Sequence, residues 1–185
     1  MKRTTILLIA AVSALLMAQG CTRAIKETVG LRGAKGIYAP IQPVDRLKEA
    51  RPLGDYRLFE LGDIKDDFGA KVPPELFRYL PVEFEEALAD KKLPNEPGGK
   101  ALLIRGRVLH YEDANMVGSV LGPLEEVVAR IELVDKASGK VLGVANCIGR
   151  TNETVNQGVQ KKAQGLARAI VAWIDARYPK ELREQ

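Results

Sequence analysis

The stretch from Glu126 to Ile148 constrains this chain more than any other feature. Val127, Ala129, Ile131 and Leu133 alternate with Val128, Arg130, Glu132 and Val134, which is the two-residue period of a strand with one buried face. Asp135-Lys136-Ala137-Ser138-Gly139-Lys140 follows as a short polar turn, with glycine late in it where a hairpin needs a left-handed residue. Val141–Ile148 then returns antiparallel. The fold must therefore provide a sheet, and other elements must cover its apolar face.

Those elements can be read on both sides of the hairpin. Residues 56–64 and the Leu-, Ile- and Val-rich run Ala101–Tyr111 read as two more strands. Between them Pro73-Pro74 opens a helix, since proline is tolerated in the first turn. Leu76, Phe77, Leu80, Phe84, Ala87 and Leu88 recur on one face of it, while Pro81 predicts a kink or a split into two short helices. A second helix is predicted from about Glu153 to Tyr178, with Asn152 as N-cap and Pro179 as its end. Its apolar stripe is Val155, Val159, Ala163, Leu166, Ile170 and Ile174. The expected fold is α+β, in the order β-α-β-β-β-α. Two helices pack on one face of a mixed four-stranded sheet, and the crossover helix makes the first two strands parallel.

Upstream, Met1-Lys2-Arg3 precedes a run from Ile6 to Ala18 in which Ser13 alone is polar, and then Gln19-Gly20-Cys21. A charged start, a short apolar run and small residues at a junction are the parts of an export signal. The run would extend about 20 Å as a helix, short of the ~30 Å hydrocarbon core of a bilayer. Residues 1–20 are therefore expected to be a signal peptide and 21–54 a lipidated N-terminus and tether. The proline- and glycine-bearing tether could stretch to about 110 Å, though Ile37, Tyr38 and Ile41 can dock back onto the domain. The single domain spans 55–179, and 180–185 is a polar tail.

Ala18-Gln19-Gly20-Cys21 resembles the bacterial lipobox, in which cleavage precedes a cysteine that carries diacylglycerol. The resemblance implies an acylated Cys21 anchored in a bacterial membrane, each buried CH₂ contributing ~0.8 kcal/mol. By the proteobacterial sorting pattern, Thr22 implies the outer membrane, facing the periplasm. The mature domain also resembles the uncharacterised lipoproteins grouped as domain of unknown function 4410. That resemblance rests on Gly118, Gly122, the strand from Val127 to Asp135, Gly139 and the return strand Val141–Ile148. It implies no catalytic residues.

Composition limits the chemistry further. The net charge of +4 falls by two when Lys2 and Arg3 leave with the signal, and the charges are mixed along the chain, so no nucleic-acid partner is expected. One histidine and two cysteines leave little for a metal or thiol enzyme. With Cys21 a thioether, Cys147 is a lone thiol in an apolar strand and reads as a buried small hydrophobe.

His110 lies beside Glu112 and Asp113, but without a second His or Cys it reads as a strand-end residue rather than a metal ligand. Asp63, Asp66 and Asp67 lack calcium-loop spacing and read as a solvated turn. Ser119 lacks the Gly-x-Ser-x-Gly context of a nucleophile elbow, and Asn152-Glu153-Thr154 is a chance glycosylation pattern in a bacterial chain. Trp173 and Tyr178 would suit an aromatic platform for glycan or peptide, but Ile170 and Ile174 beside Trp173 favour packing at the core edge.

No catalytic residues, metal or cofactor are expected. The one unusual loop is 115–124, whose Met116, Val117, Val120, Leu121 and Leu124 are apolar where a strand-to-strand loop is normally polar. Those five residues are the candidate partner-binding surface, the alternative being that they cap the core. The chain is thus expected to be a lipid-anchored, non-enzymatic envelope protein that binds or scaffolds a partner protein. A periplasmic small-ligand or peptidoglycan-binding module is the alternative, and a hydrolase a more distant third.

Overall fold

The computed structural model describes residues 34–42, 52–67, 71–112, 125–151 and 158–183. The elements run β1 (Lys35–Gln42), β2 (Leu58–Asp66), α1 (Pro74–Asp90), β3 (Ala101–Tyr111), β4 (Glu125–Asp135), β5 (Val141–Thr151) and α2 (Gly158–Asp175), followed by a 3-10 turn at Lys180–Leu182. The sheet order is β1-β5-β4-β3-β2. The β2–β3 pair is parallel, as the crossover helix requires, and the other three pairs are antiparallel.

The fold class is therefore the expected α+β with a mixed sheet, but five strands replace the expected four. The fifth is β1, which lies inside the segment read as tether. Its sequence, Lys-Gly-Ile-Tyr-Ala-Pro-Ile-Gln, hides a strand because Gly36 and Pro40 interrupt any apolar period. Proline is tolerated because β1 is an edge strand, with β5 as its neighbour in the sheet and a register shift between Pro40 and Gln42. The packed body also begins before residue 55. Leu53 is fully buried, and its N–H donates to the Arg177 carbonyl at 3.3 Å. At the other end the expected polar tail is docked: Arg183 pairs with Asp175 at 2.8 Å.

One face of the sheet is buried in a continuous core. Phe59, Leu102, Ile104, Val127, Ala129, Ile131, Leu133, Ala145 and Cys147 are all inaccessible to solvent or nearly so. α2 lies over β1, β5 and β4, while α1 packs mainly against α2 and meets the sheet along β2. The two helices thus share the covering of that one face, as expected.

α1 is continuous through Pro81, so the expected split does not occur. Leu76, Leu80, Phe84, Ala87 and Leu88 bury their side chains on either side of Pro81, which points outward. Packing along that face holds the helix together despite one missing backbone bond. α2 is described from Gly158 and ends at Asp175, three residues earlier than expected, where a turn donates Arg177 N–H to the Ile174 carbonyl. The expected N-cap, Asn152, and Val155 of the expected stripe lie outside the described residues.

Where α2 crosses β1 and β5 the backbones nearly touch. A Cβ on Gly149 would stand 2.5 Å from the Leu166 nitrogen and 2.6 Å from the Lys162 carbonyl oxygen. One on Gly165 would meet the Gly149 Cα at 2.9 Å. Gly36 faces the same helix, against the backbone of Gly165 and Ala169. Helix and sheet can approach this closely only because no side chain intervenes at these three positions.

Candidate interaction surface

The opposite face of the sheet has no helix on it among the described residues. Strand alternation places Lys65 of β2, Arg105 and Arg107 of β3, and Arg130 and Glu132 of β4 on this face. Together with Asp63 and Asp67 they line an open hollow of about 690 Å³. Arg105 Nε donates to Glu132 Oε2 at 2.9 Å, and Arg107 pairs with Asp67 at 3.4 Å. Arg130 sits directly opposite Arg107 in the β3–β4 register, and its Nε donates to Asn146 Oδ1 at 3.3 Å. One row away, Val128, Ile148 and Ile37 stand side by side across β4, β5 and β1 as a partly exposed apolar strip. The individual charges were visible in the sequence, but their convergence was not. It depends on the parallel β2–β3 pairing and on the register that sets Arg107 against Arg130.

Of the candidates singled out from the sequence, Asp63 and Asp67 line this hollow, and the others among the described residues fall elsewhere. His110 lies at the rim of β3, its side chain half-exposed and 3.9 Å from Glu112. Asp67 and Asp63 are exposed, and Asp66 accepts from the Val72 N–H at 3.4 Å, a turn arrangement in keeping with the solvated reading. No cluster of His, Cys, Asp and Glu suited to a metal occurs among the described residues. Trp173 and Tyr178 are both fully buried, and Tyr178 meets Phe59 edge-on at 5.9 Å, so they offer no platform. Cys21, Met116, Val117, Val120, Leu121 and Leu124, with Ser119, lie outside the described residues.

Cys147 is inaccessible to solvent on the helix-covered face of β5, and burial pushes its thiol well above the ordinary range. At neutral pH it is a protonated, enclosed group, and reactivity requires thiolate. Peptide-resolved alkylation should therefore label Cys147 slowly in the native protein and rapidly in urea. Equal rates in the two states would contradict its enclosure.

Two buried polar groups went unread in the sequence. Lys162 on α2 is fully buried, with its ammonium 4.2 Å from the centre of the Tyr111 ring, a cation–π contact. Glu83 on α1 is almost fully buried and accepts from the Gln160 amide at 3.0 Å, tying α1 to α2. Both had the look of ordinary solvated helix charges.

At the other end of the sheet, the hairpin turn is built on Asp135. Its carboxylate accepts from the Tyr56 hydroxyl at 2.7 Å, the Ser138 N–H at 2.8 Å and the Ser138 hydroxyl at 2.9 Å. Lys100 stands 3.4 Å from the same carboxylate and over the Tyr56 ring. Gly139 takes the left-handed conformation expected of it, φ 71°. The Tyr56 hydroxyl first, and then the Ser138 donors, hold the Asp135 carboxyl well below the usual carboxylate range. Such a group adds stability that is fully present above its unfolded value, about pH 3.9, and is lost as pH falls below it. The urea midpoint should drop as pH is lowered from 5 toward 2, and Tyr56→Phe should flatten that drop by removing the leading donor. An equally steep acid limb in the variant would show that other carboxylates govern it.

No helix among the described residues is long and apolar enough to cross a membrane. No protein-family model matches the chain. No curated protein matches it either. Among solved structures it is similar to the PelC dodecamer of Paraburkholderia phytofirmans, with a TM-score of 0.49 and 13% identity over 80% of this chain and 99% of that one. A crystal of a single-substitution variant of the same dodecamer gives a TM-score of 0.49 at 14% identity, covering 77% of this chain and 98% of that one. A minor lipoprotein of Acinetobacter baumannii is similar with a TM-score of 0.43 and 18% identity over 65% of this chain and 94% of that one.

Proposed function

We propose that this chain is a lipid-anchored protein of the bacterial cell envelope whose α+β domain binds a partner protein and performs no chemistry of its own. The observation that carries the reading is the junction Gly20-Cys21, placed directly after a run of export-signal length behind Lys2-Arg3. A cysteine at that point has a direct use as an acylation site, and Thr22 after it favours the outer membrane, with the domain in the periplasm. Several acyl chains hold a protein on a bilayer essentially permanently. Binding rather than catalysis is favoured by a sheet that is packed on one face and presents a charged and apolar surface on the other. Residues 115–124 remain a second candidate contact on their composition.

Mass spectrometry of the membrane-extracted N-terminal peptide should find Cys21 acylated, and Cys21→Ser should move the protein into the soluble fraction. A wild-type protein that is soluble with an unmodified Cys21 would overturn the anchor. Crosslinking in intact cells should place a protein partner on the domain.

A further inference from the structure

We propose that the uncovered face of the sheet docks an acidic segment of the partner protein, with Arg130 and Lys65 receiving its carboxylates. This rests on the partner-binding reading above and names the partner's chemistry. Within the hollow, Arg105 and Arg107 are matched by Glu132 and Asp67. Arg130 has no carboxylate within ion-pair distance among the described residues; its Nε is held by the neutral amide of Asn146. Lys65 is exposed and likewise has no ion pair among them. Arg130 also stands directly across from Arg107, and like charges in opposed positions destabilise a sheet.

A carboxylate entering the hollow would relieve that repulsion and accept two parallel bonds from the Arg130 guanidinium, whose Nη groups make no hydrogen bond among the described residues. The pairs already present are exposed, so each contributes little and leaves the hollow open to exchange. Asp63 on the wall adds a negative charge that works against a dense polyanion and favours singly spaced carboxylates. The neighbouring strip of Val128, Ile148 and Ile37 asks for apolar side chains in the same segment. The ligand that satisfies both is an extended peptide that presents acidic and apolar residues at every second position, on one face.

The test uses the full chain in a neutral detergent, titrated with a labelled peptide in which glutamate and valine take turns at every second position, with serine between them. Saturable binding should weaken as salt is raised. It should weaken by about tenfold or more in Arg130→Gln, and further when Lys65→Gln is added. Neither substitution orphans a carboxylate, and Arg130→Gln removes the repulsion from Arg107, so both variants should melt at or slightly above the wild-type temperature. Lys91→Gln, on the helix side beside Asp175, should bind as the wild type does. The docking surface is overturned if the peptide with glutamine in place of glutamate binds equally well, or if the double variant keeps wild-type affinity. It is overturned equally if tripolyphosphate or anionic phospholipid vesicles bind this face while the glutamate peptide does not, or if a second copy of the chain occupies it. Crosslinking in cells separates the two levels. Capture that persists undiminished in the double variant removes this surface and leaves partner binding standing, whereas a wild type that captures no protein removes the partner-binding reading itself.

Discussion

Gly149→Val should destabilise the domain by about 3 kcal/mol or more. The valine Cβ would enter a space where the Leu166 nitrogen lies 2.5 Å away and the Lys162 carbonyl 2.6 Å away. Both are backbone atoms in the middle of α2, so no rotamer change can make room. The helix would have to lift from β5, opening the contacts of Ala163, Leu166 and Ile170, which are now fully buried. Urea denaturation followed by circular dichroism measures the loss. Gly158→Ala is the control, because a Cβ there meets nothing within 4 Å. In a helix that change should be neutral or stabilising by up to ~1 kcal/mol. If Gly149→Val melts with the wild type, the close approach of helix and sheet is wrong.

Trp173→Ala should cost about 3–5 kcal/mol, the range for deleting a large buried aromatic side chain. Trp173, on α2, heads the fully buried side chains by volume and belongs to the core. The cavity it leaves would be lined by packed, rigid neighbours that can collapse only in part. Calorimetry is the suitable probe, since this is the chain's single tryptophan and its removal abolishes the tryptophan fluorescence signal. Were Trp173 an exposed platform for a glycan, the same change would stay within about 0.5 kcal/mol. The two substitutions test different things: one adds atoms where backbones touch, the other removes them where side chains fill the core.

Local pattern alone carried much of the fold. The alternation of Val127 to Leu133 and the polar turn around Gly139 specify a hairpin without reference to the rest of the chain, and the structure contains it as the antiparallel β4–β5 pair. The apolar stripes of the two helices, the parallel first pair and the enclosure of Cys147 were equally legible, because each follows from periodicity or from the handedness of a crossover. The junction Gly20-Cys21, proposed as the acylation site, is a reading of sequence alone and lies outside the described residues.

Tertiary structure decided what local pattern could not express. β1 is a strand because β5 offers a free edge, and α2 needs a glycine at position 36 to come close; neither reason lies within Lys35–Gln42. Lys162 and Glu83 looked like solvated helix charges, yet tertiary packing put one against the Tyr111 ring and gave the other the Gln160 amide. Pro81 stays within one helix because side chains before and after it are anchored in the same core. The hollow on the uncovered face joins residues from three strands, and Arg107 meets Arg130 only once pairing fixes which residues stand opposite. Periodicity reports which face of an element is buried. The residues that converge on the other face are set by long-range register, which sequence spacing does not encode.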